Sequence, residues 1–194
     1  SETPMAAAPT APPMTKDIRG RIMEWAASIV LSLPELPRDP AYDILRRAAP
    51  QGTLTYPGDG FSPAEAIITS LNTLDSSYLA VQGPPGAGKT FNAAQVIAAL
   101  AGLRGWKIGV VAQSHATIEN LLTAVVEAGM DPERIGKKSR AGDDKEKPWS
   151  ELASGDITAD FVGQLGGCVV GGTIWNFASK KAFGWKDLDL LVID

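Results

Sequence analysis

Eight consecutive residues near the middle of the chain have the types and spacing that bind a polyphosphate. Glycines let the backbone wrap closely around phosphate oxygens, and amides at a helix start offer fixed donors and a positive dipole end. A lysine then reaches the terminal phosphates as a point charge, and a threonine hydroxyl ligates Mg²⁺. The pattern predicts a triphosphate site, against the alternative of a chance glycine-rich turn. The residues are Gly83, Pro84, Pro85, Gly86, Ala87, Gly88, Lys89 and Thr90.

A second candidate is Asp194, which follows the apolar run 190–193. If that run is a strand of a parallel sheet, the carboxylate lies at the carboxyl edge, where open α/β folds bind ligands. Asp194 would then hold Mg²⁺ together with Thr90, usually through a water. Lys89 and Asp194 are therefore the candidate catalytic residues. An isolated aspartate at a strand end is more often a turn residue, and the upstream loop favours the metal role.

The elements that must position these residues follow from the apolar pattern. Short apolar runs alternate with helical periodicity, and each run is nearly continuous in apolar residues, as in strands buried on both faces. This predicts an α/β fold with a parallel sheet and helices on both faces. The predicted strands are 78–82, 107–112, 168–171 and 188–193, and the predicted helices are 89–103, 116–128, 158–165 and 175–182.

Three regions are predicted along the chain. Residues 1–15 are rich in Pro, Ala and Thr and indicate a flexible linker. Residues 16–50 are a helical lead-in, either a docking segment or a linker that packs locally. Residues 51–194 form the main domain, whose first helix is signalled by Ser62 as a cap, Pro63 at the first helical position and Glu65 for a capping box.

The charged segment 134–147 carries six basic against three acidic side chains. We expect a solvated loop there, with contact to a phosphate backbone as the alternative.

Composition excludes several classes of protein. The chain has 194 residues, enough for one domain with a core, and its 44% apolar and 21% charged residues exclude disorder throughout. The net charge of −4 excludes a uniformly basic surface but allows a local basic patch. The single cysteine, Cys168, excludes a disulfide framework and predicts a small buried hydrophobe. With no long apolar run and no signal-peptide pattern, we expect a cytoplasmic protein.

Four segments resemble motifs of superfamily 1 helicases of the 5′-to-3′ branch (superfamily 1B). Residues 81–90 are similar to motif I, 110–122 to motif Ia, 170–175 to the strand end with a Gly-Thr pair, and 190–194 to the start of motif II. Within that family the chain looks closest to bacterial proteins that fuse a RecB-like nuclease to the helicase. The resemblance covers residues 50–194, and motifs I and Ia are its specific parts.

The resemblance implies the first RecA-like motor domain, a P-loop NTPase fold that stops at the Walker B aspartate, Asp194. It implies ATP and Mg²⁺ as cofactors, and ATP-dependent translocation or unwinding on DNA by the full-length protein. The chain itself would be inactive, because the catalytic glutamate follows that aspartate. Expected partners are single-stranded nucleic acid, DNA above RNA, a second motor domain downstream and a nuclease domain upstream.

The same resemblance implies nucleic-acid contacts, each with a simpler alternative. Ser114 is alternatively a helix cap, His115 a surface residue of a first turn, and Asn120 a solvent-facing residue. Thr173 and Trp175 follow the Gly-Gly strand end, and Trp175 is alternatively a core residue. Two further functions stay open: a nucleic-acid-binding module that responds to nucleotide without hydrolysis, and another P-loop NTPase of the AAA+ type.

The chain also departs from the family pattern. The helix before the phosphate loop carries Glu65 and Ala66 where the family has an adenine-reading Gln. The family's strand after Walker B, which inserts beside the loop strand, is not in this sequence. We therefore expect unpaired backbone groups, exposed apolar surface and marginal stability.

Overall fold

The structure is a computed structural model that describes residues 15–58, 60–138, 146–164, 166–184 and 187–194. The predicted linker, apart from Thr15, and the middle of the charged segment lie outside these residues. No helix in the described ranges is long and apolar enough to cross a membrane.

Within those ranges, five parallel strands form one sheet in the spatial order β3-β2-β4-β1-β5. At its centre, Gly109 of β1 lies opposite Val170 of β4 and Leu191 of β5. The predicted α/β class and parallel sheet are confirmed. The strands are β1 (Lys107–Val111), β2 (Ile135–Lys137), β3 (Ser150–Glu151), β4 (Cys168–Gly172) and β5 (Leu190–Ile193).

Helices cover both faces of the sheet, as the alternating pattern predicts. One face packs against α3, α4 and α5, and the other packs against α6 and α7. The lead-in helix α1 lies against α7. The helices are α1 (Lys16–Ser32), α2 (Pro40–Arg46), α3 (Pro63–Leu71), α4 (Lys89–Arg104), α5 (His115–Glu127), α6 (Gly155–Gln164) and α7 (Ile174–Ala178), with a 3-10 turn at Pro132–Arg134.

Alternation along the strands divides the core into two clusters. Ile108 and Val110 face α4 and α5, whereas Cys168 and Val170 face α6 and α7. Cys168 is fully buried, and burial raises the pKa of its thiol, so its prediction as a small hydrophobe is confirmed. Gly109 needs to be small, because a Cβ there would lie 2.8 Å from the Phe177 ring.

The predicted start of α3 is also confirmed. The Ser62 hydroxyl accepts from the Glu65 amide at 3.3 Å, and the Glu65 carboxylate accepts from the Ser62 amide at 2.8 Å. The hydrogen bond from the Ser62 amide, and then one from the Ser62 hydroxyl, lower the pKa of the Glu65 carboxyl group. Pro63 occupies the first helical position, where its missing N–H costs nothing.

One predicted strand is wrong. Residues 78–82, directly before the phosphate loop, are not part of the sheet, and in the described chain no strand pairs with the outer edge of β5. An apolar run becomes a strand only where another strand supplies its hydrogen bonds. On β5, Leu191 is 46% and Ile193 is 75% exposed, in agreement with the expected exposed apolar surface. The expected marginal stability stays a prediction.

The prediction of a solvated loop at 134–147 is wrong for residues 134–137, whereas Glu146 at the other described end is exposed and lies outside any helix or strand. Ile135–Lys137 forms an inner strand, β2, and Lys137 is only 3% exposed. The Arg134 guanidinium donates to the carbonyls of Gly167 at 2.8 Å and Ala101 at 2.9 Å. These cations are held by carbonyls and a carboxylate of other elements, which compensate their removal from water. The predicted helix 175–182 is also shorter, since α7 ends at Ala178.

Candidate phosphate-binding site at the carboxyl edge of the sheet

The loop before α4 has the backbone conformation that its glycines permit. Gly86 and Gly88 have φ of +79° and +74°, in the left-handed region that disfavours side chains. A Cβ on Gly83 would lie 3.3 Å from the Ala87 methyl group, so this glycine allows the loop to close on itself. Three of the loop's residue types thus follow from its shape.

Backbone donors of this loop lie at the start of a long helix. Gly88 is the N-cap of the 16-residue α4, and no side chain caps that end. Among the described residues, the amides of Gly86, Gly88, Lys89 and Thr90 have no acceptor, while the Ala87 amide donates to the Pro84 carbonyl at 3.2 Å. Unpaired amides and the positive end of the helix dipole both attract an anion.

Lys89 lies over its own loop. Its Nζ donates to the carbonyls of Gly83 at 2.7 Å and Pro84 at 3.0 Å. A phosphate would compete with these carbonyls for the ammonium and offers a full negative charge. Asn92 steadies the other side, because its amide Nδ2 and its backbone N both donate to the Gly88 carbonyl at 2.9 Å.

The chain path places the loop and Asp194 at the same edge of the sheet. The helix α4 runs antiparallel to β1 and is about 24 Å long at 1.5 Å per residue, so it starts beyond the carboxyl end of β1. The Asp194 amide donates to the Val111 carbonyl at the end of β1, at 3.0 Å. No group of three or more metal-ligating side chains occurs in the described chain. Mg²⁺ commonly takes one or two protein ligands plus phosphate and water, which fits Thr90 with Asp194.

The predicted nucleic-acid residues follow the neighbouring strands β1 and β4 at this edge. Ser114 is the N-cap of α5, where its hydroxyl accepts from the Thr117 amide at 3.1 Å. His115 is the first residue of α5 and is half-buried, and Asn120 is exposed on the same helix. The cap role of Ser114 and the solvent-facing position of Asn120 are therefore shown. Their contact with nucleic acid stays a prediction.

The other two candidates flank the start of α7. The Thr173 amide and hydroxyl both donate to Oδ1 of Asn176, at 2.8 and 2.9 Å, which closes a capping box. Trp175 is 42% exposed, so its alternative as a core residue is wrong. Contact of Thr173 and Trp175 with nucleic acid stays a prediction.

The sequence interpretation missed a partly buried cluster of one carboxylate and two ammonium groups. Glu119 of α5 accepts from Lys137 Nζ at 2.9 Å and from Lys147 Nζ at 2.8 Å. The hydrogen bond from Lys147, and then that from Lys137, lower the pKa of Glu119 to about 2 against the opposing effect of burial. Glu119 thereby ties both ends of the charged segment to α5. A lone carboxylate on the helix gave no signal of this pairing.

Comparisons with known proteins add no family to this geometry. No protein-family model, curated protein or solved structure matches the chain.

Proposed function

We propose that residues 83–90 bind the phosphates of ATP with Mg²⁺, and that the chain is the nucleotide-binding part of a superfamily 1 helicase motor domain. One observation carries this proposal. The loop with two left-handed glycines opens onto the uncapped start of α4, beside a lysine, at the carboxyl edge of a parallel sheet. That edge is where open α/β folds bind their ligands.

Each residue has a role in this proposal. The free loop amides hold the β- and γ-phosphate oxygens, and Lys89 moves from the Gly83 and Pro84 carbonyls to those oxygens. Thr90 ligates Mg²⁺ through its hydroxyl, and Asp194 reaches the ion through a water. In the family that the chain resembles, a glutamate that follows the Walker B aspartate activates the attacking water, and none of these residues takes that position. We therefore propose nucleotide binding as the activity of this chain, and unwinding as the activity of a longer protein.

Single-stranded DNA is the proposed partner of the same edge. Support comes from the position of Ser114, His115, Asn120, Thr173 and Trp175, which follow two adjacent strands. The exposed Trp175 supplies a face on which a base can stack. Ser114 and Thr173 already cap helices. A DNA strand would therefore contact the lone pairs that remain on their hydroxyl oxygens, and the neighbouring backbone amides.

Titration with a fluorescent ATP analogue, with and without Mg²⁺, tests the phosphate site. Lys89→Ala should weaken binding about tenfold or more, since a charge-assisted hydrogen bond contributes roughly 1.5–3 kcal/mol. The control is Lys16→Ala, which removes another exposed lysine, on α1, and should bind as the wild type does. Thr90→Val should reduce the gain in affinity on adding Mg²⁺. Unchanged binding by Lys89→Ala would contradict the assignment.

A further inference from the structure

A cavity of about 180 Å³ lies between β4, α6 and α7, on the face of the sheet opposite α4; we call it the α6–α7 cavity. Its floor is the carboxyl end of β4, with Val170, Gly171 and Gly172, and no residue of the phosphate loop lines it. Both sites therefore open toward one edge of the sheet from its two faces.

One wall of this cavity is aromatic. Phe177 and Phe183 stack with ring centroids 4.8 Å apart and an angle of 13° between the rings, and Phe183 is only 5% exposed. The lead-in helix holds this wall from behind, because the Arg21 guanidinium donates to the carbonyls of Ala178 at 3.2 Å and Phe183 at 2.5 Å. The half-buried Phe177 therefore offers a flat apolar face to a planar ring, with the buried Phe183 stacked against it.

Two side chains at the cavity, Asn176 and Lys138, present hydrogen-bond donors. Oδ1 of Asn176 already accepts two hydrogen bonds from Thr173, which leaves its Nδ2 to face a ligand, and Nδ2 has no acceptor in the described chain. Lys138 lies at the rim, where its amide donates to the Gly171 carbonyl at 3.2 Å. Its ammonium contacts the Ala153 carbonyl, which uses one of three donors. The cavity thus offers the Asn176 donor to acceptor atoms of a ring, and the Lys138 ammonium supplies a positive charge at its rim.

Cavity size limits the ligand. Pockets for drug-sized ligands span roughly 300–1,000 Å³, so a cavity of about 180 Å³ holds one ring system and leaves the rest of the molecule at the rim. We propose that the α6–α7 cavity binds one nucleobase, with the phosphate of that nucleotide against Lys138. When the bound nucleotide is part of a DNA strand, this proposal rests on the proposed function. A free mononucleotide would present the same base and phosphate to the cavity.

The donor-only character of Asn176 limits selection among bases. An asparagine that reads adenine uses both its oxygen and its nitrogen. Here the oxygen is taken by the α7 cap, so Nδ2 alone can donate, to a carbonyl oxygen or to an acceptor ring nitrogen. Every base carries one of these acceptors, so we expect the site to bind all four bases without selecting adenine.

The test uses the 194-residue chain and two probes. The first is a short single-stranded DNA with one 2-aminopurine, whose fluorescence reports stacking, and the second is each of the four mononucleotides, measured by calorimetry. Lys138→Gln should weaken binding, and Ala182→Leu, which fills the cavity, should weaken it about tenfold, near the loss of one stacked base. Asn176→Asp keeps the oxygen that caps α7 and removes the donor, so it should weaken binding without loss of helix. Lys181→Gln, an exposed lysine outside the lining, is the matched control.

The outcomes separate this site from the proposed function, since binding of the ATP analogue is measured in parallel. If the three cavity variants lose binding of the DNA strand or of a mononucleotide while the control does not, the site is supported. The probe that binds then shows whether the nucleotide comes from DNA or is free. Strand binding that the three variants leave intact overturns the site but not the proposed function. Failure of both probes on the wild-type chain overturns the site whether or not the ATP analogue binds. Circular dichroism of each variant shows whether it folds.

Discussion

Substitution of Glu119 tests how this fold keeps a lysine inside its sheet. Lys137 has a side chain only 4% exposed, and its ammonium lies 2.9 Å from the Glu119 carboxylate. Glu119→Gln keeps the shape of the side chain but removes the charge. The buried Lys137 ammonium then loses the carboxylate that pairs with it, and the Lys147 ammonium, on a side chain 17% exposed, loses its bond to Glu119.

The expected magnitude follows from the burial of each partner. Removal of one member of a buried ion pair costs roughly 3–5 kcal/mol, because the other charge stays desolvated. Glu119 itself is 20% exposed, so water can replace part of the lost interaction. We therefore expect the lower end of the range, a loss of about 3 kcal/mol in the free energy of unfolding. Lys137→Met replaces the cation by an apolar chain of similar length. It should cost less than about 1 kcal/mol, because the remaining charge, Glu119, is partly exposed and keeps its bond from Lys147.

Urea unfolding at neutral pH, followed by far-ultraviolet circular dichroism, measures these changes. The control is Asp75→Asn, which breaks the Arg38–Asp75 ion pair, whose side chains are 67% and 71% exposed. Exposed pairs contribute below about 1 kcal/mol. The double variant Lys137→Met/Glu119→Gln should cost less than the sum of the single changes, since the buried cation is gone. If Glu119→Gln costs no more than Asp75→Asn, the buried-pair reasoning is refuted.

Three more predictions follow from particular contacts. The difference in the free energy of unfolding between the wild type and Glu119→Gln should be full above about pH 4.3 and shrink as pH falls toward 2, because the lowered pKa of Glu119 makes its ionised form stabilising. Acid unfolding measures this difference, and a difference that stays constant with pH would refute the prediction. Gly109→Ala should cost about 1–3 kcal/mol by overpacking against Phe177, whereas Gly163→Ala, with open space on α6, should stabilise by roughly 0.4–1 kcal/mol in urea titrations. Ser114→Ala should lower the free energy of unfolding by about 1 kcal/mol through loss of the α5 cap, while Ser114→Asp retains it; equal melting temperatures for both variants would exclude the cap role.

The sequence predicts the parts of this protein that depend on neighbours along the chain. The capping box at Ser62 and Glu65, the positive-φ glycines before α4 and the apolar runs of β1, β4 and β5 all follow from local types and spacing. The phosphate loop belongs to this class as well, because its chemistry resides in eight consecutive residues. A local sequence pattern is enough to predict a feature whose structure depends on one turn of backbone.

Tertiary structure decided the parts that depend on pairing between distant segments. The run 78–82 has a strand-like composition and no strand, because no partner in the described chain supplies its hydrogen bonds. The reverse holds for β2, whose three residues include a glycine and a lysine and still form an inner strand. Lys137 can be buried there only because Glu119 on α5 compensates its charge. A strand is stabilised by its neighbours in space, and a sequence pattern does not specify which neighbours are present.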